Sequence, residues 1–366
     1  MLTDCPMAAE ERPSYWNYLK LEQMLDLQSG LEQDEADLLP DELHFIIVHQ
    51  AFELWFKLII RELRLARDHL GASYVPEEQI PFVVRHLRRV NTILELAVDQ
   101  FKVMETLSPQ DFLAFRSKLM PASGFQSFQM RQIEILLGLD MAERARGGAG
   151  DPLAAFGESG YARSKIDEAT QEISFKTALY EWLSRTPIQG SVCGHDGDAA
   201  AVSAFVDDYL KAIEAHGSRE AKQFEASGVM DESSARLRTK QAIHSAQLFL
   251  HAEDVSEDQR TEQRRTRAAL LFIESYRDLP LLAWPRVLID AVVEMEEMLV
   301  LWRTRHARMV ERVIGRRIGT GGSSGVDYLD QTTRFRIFRE LWQVRTLLLP
   351  GDRLPKLEHP ETYGFV

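Results

Sequence analysis

The chain has 366 residues, 45% of them hydrophobic, which is ample for a sizeable core in one large domain or two. Its 43 Lys and Arg against 56 Asp and Glu give a net charge of −13; that excess repels nucleic-acid phosphates and anionic membrane surfaces and favours a small ligand or a like protein as partner. The only cysteines, Cys5 and Cys193, cannot build a disulfide framework, and with no signal peptide or apolar span of about 18 residues in evidence, a cytoplasmic protein is expected.

Helical periodicity dominates along the chain. From Asp41 to Leu70, the residues Glu53, Lys57, Arg61, Arg64 and Asp68 form a polar stripe at helical spacing and predict a long amphipathic helix. Ser108-Pro109-Gln-Asp111 is a helix start, and the helix carrying Phe112, Phe115, Arg116 and Leu119 is expected to end at Pro121. Further helices are predicted from about Gly124 to Gly138, from about Ser164 to Arg185 before Thr186-Pro187, and from Pro285 to Ile314 before Gly315. Glycine-rich and polar breaks at Gly147 to Gly160, Gly190 to Gly197 and Gly217 to Ser234 read as loops between acidic amphipathic helices. No stretch demands period two and no fixed repeat is present, so the predicted fold is all-α. A single domain over residues 1–366 is expected, with residues 188–262 as a helical insertion.

Two apolar stripes each carry one histidine. Phe45, His49, Phe52 and Phe56 share one helical face, and Met295, Leu299, Trp302, His306, Met309 and Val313 share another. Either histidine alone reads as a core imidazole hydrogen-bonded to a neighbour; two such stripes together make a shared site the competing reading. Spacing prunes the metals. No glutamate lies three residues before any of the ten histidines, so the paired Glu-x-x-His of a di-iron bundle is missing, as are His-Glu-x-x-His and any cysteine-rich knuckle or cluster. A centre needing one imidazole remains, and a wide apolar face with one histidine suits haem.

Other motifs are weaker. Ile318-Gly-Thr320-Gly-Gly-Ser-Ser-Gly325 suggests a phosphate cradle, but it lacks the Lys-Ser or Lys-Thr of a Walker loop and follows a helix rather than a strand. Glu294-Met-Glu296-Glu297 reads as a solvated helix face and Gly194-His195-Asp-Gly197 as a surface loop. Arg264-Arg265-Thr-Arg267 is expected to pair with acidic neighbours.

Six blocks, in order, resemble the tryptophan 2,3-dioxygenases. They are Tyr15-Trp-Asn-Tyr18-Leu, Phe45-Ile-Ile-Val-His49-Gln-Ala-Phe-Glu-Leu-Trp-Phe-Lys57, Phe112-Leu-Ala-Phe-Arg116, Pro121-Ala-Ser-Gly-Phe-Gln-Ser127, Trp302-Arg-Thr-Arg-His306 and Gly319-Thr-Gly-Gly-Ser-Ser-Gly325. The long middle section is similar to the longer, animal-type members. The resemblance implies haem b (heme b, active as Fe2+) and cleavage of the indole C2–C3 bond of L-tryptophan or a close analogue by O2, giving N-formylkynurenine. It implies His306, beside Trp302, as axial ligand of the iron and His49 on the oxygen side, sharing the indole N–H. Arg116 would clamp the substrate carboxylate, Thr320 would meet its ammonium and carboxylate, and Phe45 and Leu119 would pack the indole. Ser123 and Gly124 would meet a haem propionate. Tyr15 and Tyr18 would close the pocket of a neighbouring subunit in a homotetramer. Trp182-Leu-Ser-Arg185-Thr186-Pro187 is similar to a second tryptophan site remote from haem, although Pro76 stands where that pattern supplies an arginine, with Glu78 as the acidic partner.

Two residues depart from the family pattern: Pro40 replaces a common histidine, and His44 a small apolar residue. Both adjoin the substrate site. They keep two other outcomes in play: a superfamily haem monooxygenase hydroxylating a substituted tryptophan, and a non-enzymatic haem or indole sensor.

Overall fold

The computed structural model describes residues 13–140, 153, 156–322 and 325–364. Cys5, most of the Gly147 to Gly160 break, and Ser323 and Ser324 of the glycine-rich loop lie outside the described residues. The N-terminal half holds α1 (Tyr15–Leu19), α2 (Leu21–Leu25), α3 (Pro40–Leu70), α4 (Ile80–Met104), α5 (Pro109–Phe115), α6 (Phe128–Leu137), α7 (Tyr161–Gln171) and α8 (Phe175–Ser184). After these come α9 (Asp198–Ala226), α10 (Glu232–Leu250), α11 (Glu257–Ser275), α12 (Ala283–Ile314), α13 (Val326–Thr332) and α14 (Arg339–Gln343). The only β-pairing among the described residues is an isolated Ile188–Ser191 bridge, so the all-α expectation is borne out.

The frame is three long helices, with α4 packed between α3 and α12. Val83, Val84, Leu87, Val90, Leu94, Ala97 and Phe101 of α4 are all buried; each large aliphatic or aromatic side chain among them contributes roughly 1.5–3 kcal/mol on leaving water. Helix α3 starts where Pro40 fixes φ and the Glu42 carboxylate accepts the Leu39 N–H at 3.3 Å. Contrary to the sequence expectation, α3 contains an 18-residue window of mean hydropathy 1.4, which by length and composition alone is enough to cross a membrane; 28% of that window is buried. One side of α3 packs on α4 and α6, and its Phe45–Phe56 stripe lines a cavity.

Three local expectations are corrected. The helix predicted from Ser164 to Arg185 is two helices, because Glu172 turns its carboxylate to Arg64, at 2.6 Å, and to Arg67 of α3, while Ser174 caps α8 by accepting the Thr177 N–H at 3.0 Å. The loop predicted from Gly217 to Ser234 is helical to Ala226: Gly217 lets α9 and α10 approach so closely that a Cβ there would lie 2.9 Å from the Thr239 methyl group. Glu294 and Glu297 are exposed, but Glu296 is buried and is no part of a solvated face. Its carboxylate accepts the backbone N–H groups of Ile337 and Phe338 and the Trp342 Nε1–H, the last at 2.5 Å, so it ties the C-terminal segment to α12. The basic run pairs as expected, Arg265 with Asp198 at 2.8 Å and Arg267 with Asp254 at 2.5 Å.

Candidate functional site

The two histidine-bearing stripes face one cavity of about 510 Å3, within the roughly 300–1,000 Å3 of small-molecule sites. Helix α3 contributes Phe45, His49, Phe52 and Phe56, and α12 contributes Trp302, His306, Met309 and Val313. Phe52, Phe56 and Phe101 surround the Trp302 ring at centroid distances of 6.2, 5.8 and 5.7 Å. The His306 ring stacks on Phe101 at 5.7 Å and 12°, so apolar packing alone sets its orientation.

Both imidazoles are pushed toward the neutral form. Burial, and then His49, lowers the pKa of His306 to about 4, and among the described residues its ring makes no hydrogen bond; a lone pair is thus available. His49 lines the cavity with its ring exposed there, and desolvation lowers its pKa, opposed by the Phe45 carbonyl and Glu53. Its Nδ1 lies 2.7 Å from the Phe45 carbonyl. A carbonyl only accepts, so Nδ1 carries the proton and Nε2 is left as an acceptor.

The opposite end of the cavity is polar. Arg116 and Leu119 stand on a four-residue 3-10 turn, Arg116–Leu119, that follows α5. The Arg116 Nη2 donates to the Ile318 carbonyl, and its Nε is buried without a partner among the described residues. The Thr320 hydroxyl donates to the Ala122 carbonyl at 2.5 Å. Ser123 accepts the Phe125 N–H at 3.3 Å, and Gly124, beside it, also lines the cavity. The glycine-rich loop therefore folds onto residues 116–123. A Cβ at Gly321 would lie 2.6 Å from that of Ser123, while Gly322 and Gly325 have φ of +81° and +60°, so close approach and left-handed backbone both require glycine. Gly321→Ala is expected to push the loop off Ser123 at a cost of about 1–3 kcal/mol. Faster proteolysis of the loop and a lower Tm would register it; unchanged values would show that the neighbours yield freely.

These residues fit a flat apolar cofactor held by one imidazole. Most of the cavity wall around His306 is aromatic and aliphatic, and among the described residues neither the His306 ring nor the buried Trp302 Nε1 has a hydrogen-bond partner. Among the described residues no three His, Cys, Asp or Glu side chains converge to hold an ion by themselves.

Other candidates lie elsewhere. Tyr15 and Tyr18 on α1 are 77% and 78% exposed and do not line this cavity. Trp182 is buried, and the guanidinium of Arg185 donates to the carbonyls of Leu70, Ala72 and Ser73 at 3.1, 2.7 and 2.6 Å. The carbonyls of Thr186 and Pro187 accept from Arg265 and Tyr363 at 3.1 and 3.0 Å. Arg185 thus satisfies carbonyls at the end of α3 and just beyond it. Pro40 opens α3, and His44, its Nε2 buried without a partner, is not among the cavity-lining residues.

The sequence reading misses four charged residues in the cavity wall. Glu53, placed on the solvent stripe, lines the cavity and accepts the Gln129 Nε2–H at 2.8 Å. Arg131 and Arg303 both donate to buried Glu134, the latter at 3.3 Å. Spacing offers the only signal: Glu53 is four residues after His49 and Arg303 three before His306, each on the face of its histidine.

The chain matches the family described as tryptophan 2,3-dioxygenase over residues 4–348. It is 48% identical to "Tryptophan 2,3-dioxygenase 2" of Ralstonia nicotianae, covering 96% of this chain and 97% of that relative. It is 45% identical to a tryptophan 2,3-dioxygenase of Sorangium cellulosum and 32% to one of Dictyostelium discoideum, each over 96% of this chain and 87% of the relative. With matches of this length, and with both histidine stripes meeting in one cavity, the chain belongs to the tryptophan 2,3-dioxygenase family.

Proposed function

We propose that this protein is a haem-dependent dioxygenase that cleaves the indole C2–C3 bond of L-tryptophan with O2 to give N-formylkynurenine. The observation that carries the reading is the pairing of two imidazoles, each pushed toward the neutral form, across an apolar cavity with a guanidinium and a threonine at its far end. Haem b would supply the iron that activates O2. The protein's residues do the binding and orienting.

His306 would hold the iron through its free ring nitrogen, with Trp302 packed beside it and Ser123 and Gly124 near a propionate. His49 Nε2 would accept the indole N–H, a role its Nδ1–Phe45 contact prepares by fixing the tautomer. Phe45 and Leu119 would pack the indole, Arg116 would take the carboxylate through its planar fork, and Thr320 would meet the ammonium and carboxylate. With substrate bound, the aromatic wall and the described part of the glycine-rich loop would limit water at the indole.

Mass spectrometry of products from a panel of indole amino acids, with reduced enzyme in air, tests the function. A gain of two oxygen atoms is expected. A gain of one would establish the hydroxylating rival, and tryptophan binding with no oxygen-dependent turnover would establish the sensor. His49→Ala is expected to slow turnover about tenfold, the worth of one hydrogen bond to the substrate, while the haem spectrum persists; its complete loss would place His49 elsewhere.

The same reading includes a homotetramer. Exposed apolar residues on the N-terminal segment, Tyr15, Trp16, Tyr18 and Leu31 among them, support it, with Tyr15 and Tyr18 closing a neighbour's pocket. A sedimentation mass of one chain would exclude it.

A further inference from the structure

The turn that carries Arg116 and Leu119 is four residues long, so its own backbone does little to fix where those side chains aim. The anchor comes from Lys118 on the same turn. Its ammonium donates to Glu32 at 2.5 Å and to Glu42 at 2.9 Å. Glu42 lies in the first turn of α3, the helix of Phe45 and His49, and its side chain is only 5% exposed. Glu32 belongs to the segment before α3. That segment is laid along α3 by reciprocal contacts, Gln28 Nε2 to Gln50 Oε1 at 2.7 Å and Gln50 Nε2 to the Leu27 carbonyl at 3.0 Å. Gly30, with φ +61°, makes room there: a Cβ would lie 2.7 Å from Leu38 and 3.1 Å from Glu32 Oε2. The Lys118 hydrogen bond holds Glu32 below the usual carboxylate range, and Glu32 holds Lys118 above its own.

Exposed ion pairs contribute little to stability. This cation instead bridges two segments to the turn that aims the substrate clamp. We propose that Lys118 is a positioning residue of the substrate site, locking the Arg116–Leu119 turn to α3 and to the N-terminal segment so that the carboxylate clamp stays in register with His49. The proposal rests on the reading of Arg116 as that clamp.

Binding of L-tryptophan and of tryptamine, which lacks the carboxylate, to the haem-loaded protein tests it, by equilibrium dialysis and by the ligand-induced change in the Soret band. Lys118→Met is expected to raise the Kd for tryptophan about tenfold and that for tryptamine less than about twofold, as a displaced clamp would. Glu32→Gln should shift the same ratio about threefold, and Lys118→Arg should return it to within about threefold of the wild type. Equal weakening of both ligands, or no change in either, overturns the proposal. If Lys118→Met does not fold, Glu32→Gln decides, since its partly exposed side chain leaves the Lys118–Glu42 pair in place. A wild-type protein that binds tryptamine as well as tryptophan would overturn the clamp reading of Arg116, and Lys118 with it; a wild-type preference that survives in every variant overturns only the role of Lys118.

Discussion

His306→Ala should purify without a normal Soret band. The imidazole is half-buried, held by the Phe101 stack and by Trp302 at 5.1 Å, and makes no polar contact among the described residues. The other histidine on the cavity wall is His49, whose Nδ1 is already committed to the Phe45 carbonyl. Losing a partner of a ligating histidine typically costs about 10–100-fold in affinity, and losing the ligand itself should cost more. Haem added in excess of its Kd by about 100-fold should stabilise the wild type by about 2.7 kcal/mol, and that rise in Tm should vanish in the variant. Added imidazole should restore part of the band by filling the gap. A variant with a full band and full activity would remove His306 from the site.

Arg116→Ala is expected to lower kcat/KM for tryptophan about ten- to a hundredfold, mostly through KM, with haem content unchanged. The estimate is the worth of charge-assisted hydrogen bonds, about 1.5–3 kcal/mol. Arg116→Lys should recover little, because an ammonium cannot reproduce a bidentate fork. Arg116 also holds the Ile318 carbonyl, so the variant releases the glycine-rich loop as well. Tryptamine separates the two effects: its turnover should fall only by what the loop contributes, and an equal fall for both substrates would assign the whole effect to the loop.

The parts of this site that repeat at helical spacing are legible in the sequence. His49 and His306 stand on clean apolar stripes, and those stripes do meet in one cavity. The glycine-rich loop is legible as something other than a phosphate cradle, because a helix precedes it. Less legible are features whose cause lies far along the chain. Glu296 sits in an acidic triplet that reads as solvated, yet its acceptors' partners, Ile337, Phe338 and Trp342, are some forty residues away. The break before α8 is set by Arg64 and Arg67 reaching Glu172 from over a hundred residues upstream. Helix α4, the centre of the frame, is absent from the sequence expectations: Arg85, Arg88 and Arg89 dilute its apolar pattern, and neither glycine nor proline marks its end at Met104.

The contacts between the 116–123 segment and the glycine-rich loop bear on how tightly an amino acid can bind. Arg116 and Thr320 each already hold a backbone carbonyl of the other's segment. Tryptophan entering between them would exchange those two hydrogen bonds and add one only at the unpartnered Arg116 Nε, so much of the net gain is the difference between a charged carboxylate and a neutral carbonyl as acceptor. Ground-state affinity should therefore be modest even where discrimination is strong. An indole without charges at its backbone end would open those two contacts and offer nothing in exchange, so the site would reject it by leaving its own donors idle.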